Sequence, residues 1–170
     1  MKTFLFSIVL TTFVLAPCAA LAQTTMSPST VGAGPSGFDW AVGTWSCTNS
    51  MPSAMGGPAT QTLTVTKTNG GAIMYHAVGA NFDNTWYNVY VPATKSWISP
   101  FIINDGSYGT ESTTQTGAKI VWTGTATDPK GQAMQIRDTN VVTAEKYTDL
   151  GEVQSGGTWK PQYKMSCTKS

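Results

Sequence analysis

The side chains able to do acid–base, nucleophilic or metal chemistry are few, and their spacing assembles no catalytic set. His76, in "AIMYHAVGA", is the only histidine among 170 residues. A Ser-His-Asp arrangement would need an acid and a serine gathered about it, and nothing in the order of residues selects one of the many serines for that role. "INDGSYGTE" sets Asp105 and Glu111 on either side of a turn. Two carboxylates held close together can divide acid and base roles, as in glycoside hydrolysis. The simpler reading is a pair of solvated turn carboxylates. Neither a Gly-x-Ser-x-Gly elbow nor a phosphate-binding P-loop occurs. One histidine and two cysteines suited to a disulfide do not make the three- or four-ligand set of a zinc site. No catalytic residue, metal or other cofactor is assigned from spacing. What remains is aromatic: Tyr75, Trp86, Tyr90, Trp97, Phe101 and Trp122, whose chemistry is packing or the holding of a ligand.

The start of the chain reads as an export signal. Lys2 supplies the positive end, "FLFSIVLTTFVLA" the apolar core, and Ala20-Leu21-Ala22 the cleavage site. Cys18 suggests acylation instead, but Pro17 stands where that processing wants a small residue. Cleavage after residue 22 is expected, leaving a periplasmic or secreted chain. The apolar core falls short of the ~20 residues that cross a bilayer, so no membrane insertion follows signal removal. Loss of Lys2 takes the ten basic residues to nine, matching nine acidic ones. A neutral chain without a basic run lacks the phosphate-driven attraction of nucleic-acid binders.

Cys47 and Cys167 are the cysteines left after cleavage. An even number in an oxidising compartment predicts a disulfide, two buried free thiols being the alternative.

These residues need a scaffold, and the sequence describes one. Residues 23–37, "QTTMSPSTVGAGPSG", have the composition of a flexible tether. From 38 to 170 no stretch carries a helical apolar stripe. Thr, Val, Tyr and Trp are frequent, and turn residues recur every eight to twelve positions. The expected strands are 43–48, 61–67, 71–79, 85–91, 96–103, 107–113, 118–126, 132–138, 140–148 and 159–168. Short connections favour an up-and-down meander, and about ten such strands close readily because closure removes unpaired edges. Alternation places Gly43, Trp45 and Cys47 on one face of the first strand. It places Trp159, Pro161, Tyr163, Met165 and Cys167 on one face of the last. A disulfide between the two requires first and last strands to be neighbours, which a meander achieves only as a closed barrel. The expected fold is all-β: one antiparallel barrel of about ten strands.

"FDWAVGTW" resembles the Gly-x-Trp start of calycin barrels, the group holding lipocalins, fatty-acid-binding proteins and nitrobindin-like proteins. The chain is similar to small exported bacterial members of unassigned function, which share a "WLVGTW"-type start, an arginine-bearing late strand and a "GG-x-TW" turn, here "SGGTW" at 155–159. The resemblance implies that Trp45 plugs one end of the barrel. It also implies that a basic side chain from a late strand packs across the indole. Arg137, the only arginine, is the candidate, with Lys164 second. Nitrobindin-like barrels can hold haem through a histidine, but on a late strand. His76 lies early, so a histidine hydrogen-bonded within the fold is the plainer reading. Lipocalins carry a lid between their first two strands, the place occupied here by "TNSMPSAMGGPAT" with Met51 and Met55.

The functional expectation is non-catalytic binding of a small, largely apolar molecule inside the barrel, lined by Tyr75, Trp86, Tyr90, Trp97, Phe101 and Trp122. The alternatives are an enzyme acting on such a molecule, and a filled barrel with a structural or interaction role.

Overall fold

A computed structural model describes residues 37–170. The expected export signal and all but the last residue of the expected tether lie outside the described residues. A short 3-10 turn, Asp39–Ala41, leads into ten strands: β1 (Gly43–Asn49), β2 (Thr60–Lys67), β3 (Ile73–Gly79), β4 (Phe82–Val91), β5 (Ser96–Ile103), β6 (Tyr108–Thr113), β7 (Lys119–Thr127), β8 (Ala133–Val142), β9 (Lys146–Ser155) and β10 (Thr158–Lys169). Each pairs antiparallel with the next, and β10 pairs with β1, so the sheet closes.

The two-residue period drives this. β1 and β2 alternate strictly between exposed and buried side chains, the signature of a sheet with one wet and one dry face. Trp45, Leu63, Val65, Ile73 and Ile120 fill the inner side. Turn chemistry sets the register: Gly156 and Gly157 join β9 to β10 with φ of +59° and +79°, the left-handed pair that a tight hairpin requires.

Two expectations about the strands need correction. The break expected near Thr139 is absent: β8 runs on to Val142, and β9 occupies 146–155 rather than 140–148. Inward Asp138 and Asn140 interrupt the apolar alternation there and imitate a turn. The face expected for the last strand also fails at its start. A bulge between Pro161 and Tyr163 shifts the phase by one residue, so Trp159 and Pro161 face outward while Tyr163, Met165 and Cys167 face inward.

An aromatic cluster shuts one end. Phe38 packs edge-on against Trp97 at 4.7 Å and lies 5.5 Å from Trp122, while Trp45 meets Trp40 and Tyr147 edge-on. The Trp45 indole donates to the Ala41 carbonyl at 2.8 Å, so its buried N–H is satisfied. The cation over this ring is Lys169, 5.2 Å from the centroid, in place of the expected Arg137 or Lys164. Gly43, at φ +137°, makes room for it: a Cβ there would lie 2.9 Å from Lys169 Cε.

The Cys47–Cys167 disulfide crosses the β1–β10 seam between residues directly opposite in register, with a Cα separation of 4.0 Å. It spans 120 residues, and a loop of that length confers ~4–5 kcal/mol in the chain-entropy account. Replacing both cysteines by alanine is expected to lower the urea unfolding free energy by about 3–5 kcal/mol while the far-ultraviolet circular dichroism keeps its β signature. An unchanged urea midpoint would show that hydrogen bonds alone hold the seam.

Candidate binding site

The barrel encloses a cavity of about 100 Å³, and its two sides differ in chemistry. On the β3–β5 arc, Tyr75 and Trp86 stack in parallel, 4.9 Å apart with 8° between their planes. Phe101, Trp86's cross-strand neighbour, continues this wall. Trp122 and Phe38 form part of the floor. At the opposite end the β1–β2 connection folds back over the barrel. The Gly56 carbonyl accepts from Asn49 Nδ2 at 2.9 Å and from Gln61 Nε2 at 3.2 Å, and Met55 and Gly56 reach the cavity.

The far arc is acidic. Glu111 on β6, Asp138 on β8 and Asp149 on β9 all line the cavity. Asp149 Oδ1 accepts from Asn140 Nδ2 at 2.8 Å, and Asn140 accepts in turn from the Trp122 indole at 2.9 Å. Asp149 Oδ2 accepts from the Tyr147 hydroxyl at 3.0 Å. The Tyr163 hydroxyl lies 2.8 Å from Asp138 and 3.3 Å from Asp149. One hydroxyl proton cannot fully serve two carboxylates, so this geometry favours a carboxyl that carries its own proton.

The surroundings push the same way. Burial first, then the charges of Asp138 and Asp149, hold Glu111 well above the carboxylate range, so it donates a hydrogen bond to Asp138. Burial raises Asp138 to about 6, against the hydrogen bonds from Tyr163 and Glu111. Asp149 is pushed well up by burial and by Asp138, opposed by Tyr147, Tyr163 and Asn140. No lysine, arginine or histidine among the described residues lines the cavity.

Four buried oxygens on cavity-lining residues have no hydrogen-bond partner: Gln61 Oε1, Asn84 Oδ1, Asn88 Oδ1 and Glu111 Oε1. The Gln61 amide has a defined orientation because its nitrogen faces the Gly56 carbonyl, which can only accept.

Of the six aromatic residues singled out in the sequence, Tyr75, Trp86, Phe101 and Trp122 line the cavity. Tyr90 and Trp97 do not. They pack on each other at 5.3 Å, and Trp97 lies beneath Phe38 in the closed end. Arg137 alternates with the inward Ile136 and Asp138 and faces out. There it pairs with Glu152 at 2.7 Å and covers Trp159 at 4.5 Å. His76 is on the outer face, 3.0 Å from Asp83, so it cannot ligate anything held inside. Asp105 stays in the β5–β6 turn, accepting from the Ser107 amide at 2.8 Å. Glu111 is no turn carboxylate: it is 6 % exposed, and its partner is Asp138.

Asp138, Asp149 and Tyr163 escaped the sequence reading. The one available signal was an acid at an inward position in each of two neighbouring strands, and it required the correct bounds of β9. The chain matches no protein-family model and no curated protein.

The raised carboxyls fix the sign of a pH dependence. A group whose folded pKa exceeds its unfolded one contributes stability that is full below the unfolded value and is lost as pH climbs through the folded one. For Asp138 the window runs from 3.8 to about 6. Thermal stability is expected to fall between pH 4.5 and 7.5, by on the order of 2 kcal/mol, and Asp138→Asn to flatten that slope. Stability that is flat or rising across this window in the parent protein would contradict the assignment.

Proposed function

We propose that this protein is an exported, calycin-like barrel that binds one small molecule in its interior without transforming it. The observation that carries this reading is the pairing of an aromatic wall with unpartnered acceptors across one enclosed space. A barrel serving only as structure fills its interior with side chains. Leaving a buried acceptor unpaired costs about 1–3 kcal/mol, which water offsets in the empty barrel and a hydrogen-bond donor offsets when bound. The disulfide suits the oxidising compartment that the export signal implies.

The acidic arc narrows the expected ligand. A largely apolar molecule satisfies the Tyr75–Trp86–Phe101 side alone, so the ligand of this reading has an apolar body and a donating end. About 100 Å³ is less than the ~150 Å³ cavity known to admit benzene, so a ligand held wholly inside is no larger than benzene.

One observation favours a second reading. Glu111 and Asp138 share a hydrogen bond inside the cavity and titrate high, the arrangement a general acid uses. Under that reading, ligand recovered after incubation is chemically altered; under the binding reading it is returned intact.

Native mass spectrometry of protein purified gently from periplasm or medium, compared with its denatured mass, tests the proposal. A small bound mass lost on denaturation is expected, and Trp86→Leu should reduce its occupancy about tenfold. Trp97→Leu should instead destabilise the fold by about 3 kcal/mol and leave affinity nearly unchanged under native conditions. Equal loss of ligand in both variants would remove the Tyr75–Trp86 wall from the site.

A further inference from the structure

The charge of the cavity wall is one-sided. Three carboxyl groups from three strands face the space, and no basic side chain among the described residues answers them. The fourth nearby acid, Glu152, is already matched by Arg137. The one buried unpartnered amide atom of settled identity on the wall is likewise an acceptor, Oε1 of Gln61, whose side chain is more than nine-tenths buried at 7 % exposure and whose nitrogen is fixed on the Gly56 carbonyl. Among the described residues the indole nitrogen of Trp97 is a buried donor without a partner, but it belongs to the closed end and does not line the cavity. Such a wall complements a molecule with several N–H donors and a positive charge.

We propose that the ligand is a small organic cation, a protonated primary amine or amidine of about five or six heavy atoms, with its charged end among Glu111, Asp138 and Asp149 and its body against Tyr75 and Trp86. This rests on the interior-binding reading and assigns the ligand class. A bare metal ion suits the site less well. Among the described residues no group of three His, Cys, Asp or Glu side chains is placed to hold one, and a metal ion leaves the aromatic wall without a role. An alkylammonium uses both sides, because an aromatic face also attracts a desolvated cation. A neutral alcohol brings one donor and no charge, and leaves the carboxyl groups to be neutralised by protons alone.

The cation takes over what protons do in the empty barrel. Tyr75 on β3, Glu111 on β6, Asp138 on β8, Tyr147, Asp149 and Glu152 on β9 and Tyr163 on β10 are the titratable groups around the space, Glu152 being held in its ion pair with Arg137. The tyrosines are held neutral by burial, so the carboxyl groups are the source of any proton released. An amine that arrives protonated displaces about one proton from them to solvent, and its affinity rises with pH between 5 and 8.

The experiment is titration calorimetry of the full mature protein with two isosteric pairs, cyclopentylamine against cyclopentanol and n-butylamine against 1-butanol. It is run at pH 7 in two buffers of different ionisation enthalpy. The expected result is at least tenfold tighter binding of each amine than of its alcohol, with a buffer-dependent enthalpy for the amines alone. Asp138→Asn and Glu111→Gln, checked for folding by circular dichroism, should each cut that preference several-fold. Equal or tighter binding of the alcohols overturns the cation assignment and leaves the interior-binding reading standing. Failure of all four probes to bind the parent protein, with no competition against any co-purified mass, overturns both.

Discussion

Everything inside this molecule depends on one seam. β10 must lie beside β1, because an open ten-stranded meander would leave two unpaired edges and an interior open to water along its length. The seam is held by a ladder from Trp45–Lys169 to Asn49–Met165, with the disulfide at its centre, fully buried on the Cys167 side. The residues at its ends serve the barrel's two closures. Lys169 reaches over Trp45 and donates to the Trp40 carbonyl at 3.1 Å, tying the last strand to the aromatic plug. Asn49 holds the returning β1–β2 connection through the Gly56 and Gly57 carbonyls. Closing the sheet and closing its ends are thus one construction.

That construction makes the acidic arc consequential. Three carboxyl groups on a solvated surface would ionise and do little. Inside a shut barrel each loses hydration, and their mutual repulsion acts at low effective dielectric. The fold offsets part of this with donors from Tyr147, Tyr163 and Asn140, and part by retaining protons. Packing alone would favour leucine or valine at these positions, as at the neighbouring Ile136 and Val153, which line the same cavity. Sites whose composition costs stability are where function is sought. Here the cost is concentrated in side chains that face a single small space.

The barrel was legible in the sequence because its evidence is redundant. Period-two alternation, glycine turns at regular intervals and the inward phase of both cysteines all lead to closure. The aromatic wall was half legible. Spacing of four put Trp86 with Tyr90 and Trp97 with Phe101 on one face, but spacing along a strand says nothing of depth. Trp97 and Tyr90 lie at the plugged end of their strands and Trp86 and Phe101 nearer the middle. The acidic arc was hidden for a different reason. "DLGEVQS" after Thr148 is rich in residues of low strand propensity, so it reads as loop, and the expected strand stops at residue 148, one short of Asp149. Arg137 was misplaced because resemblance supplied a partner for Trp45, whereas the register sets it opposite Glu152 on the outer face.

Glycine links the two halves of the site. Phe101, Glu111 and Tyr163 each have a glycine directly opposite on the neighbouring strand: Gly109, Gly124 and Gly151. A Cβ at Gly151 would overlap the Tyr163 ring, and one at Gly109 would overlap Phe101. With nothing across from them, Phe101 and Tyr163 can lie down over the neighbouring backbone instead of standing into the barrel. Tyr163 lying over Gly151 is what brings its hydroxyl between Asp138 and Asp149. Phe101 lying over Gly109 keeps its ring on the wall. The same substitution pattern therefore does two things at once: it leaves the centre of the barrel empty, and it aims the polar ends of the surrounding side chains at that empty space. An interior emptied by glycine and edged with acceptors is a shape specified in the sequence, and its complement is a donor small enough to fit.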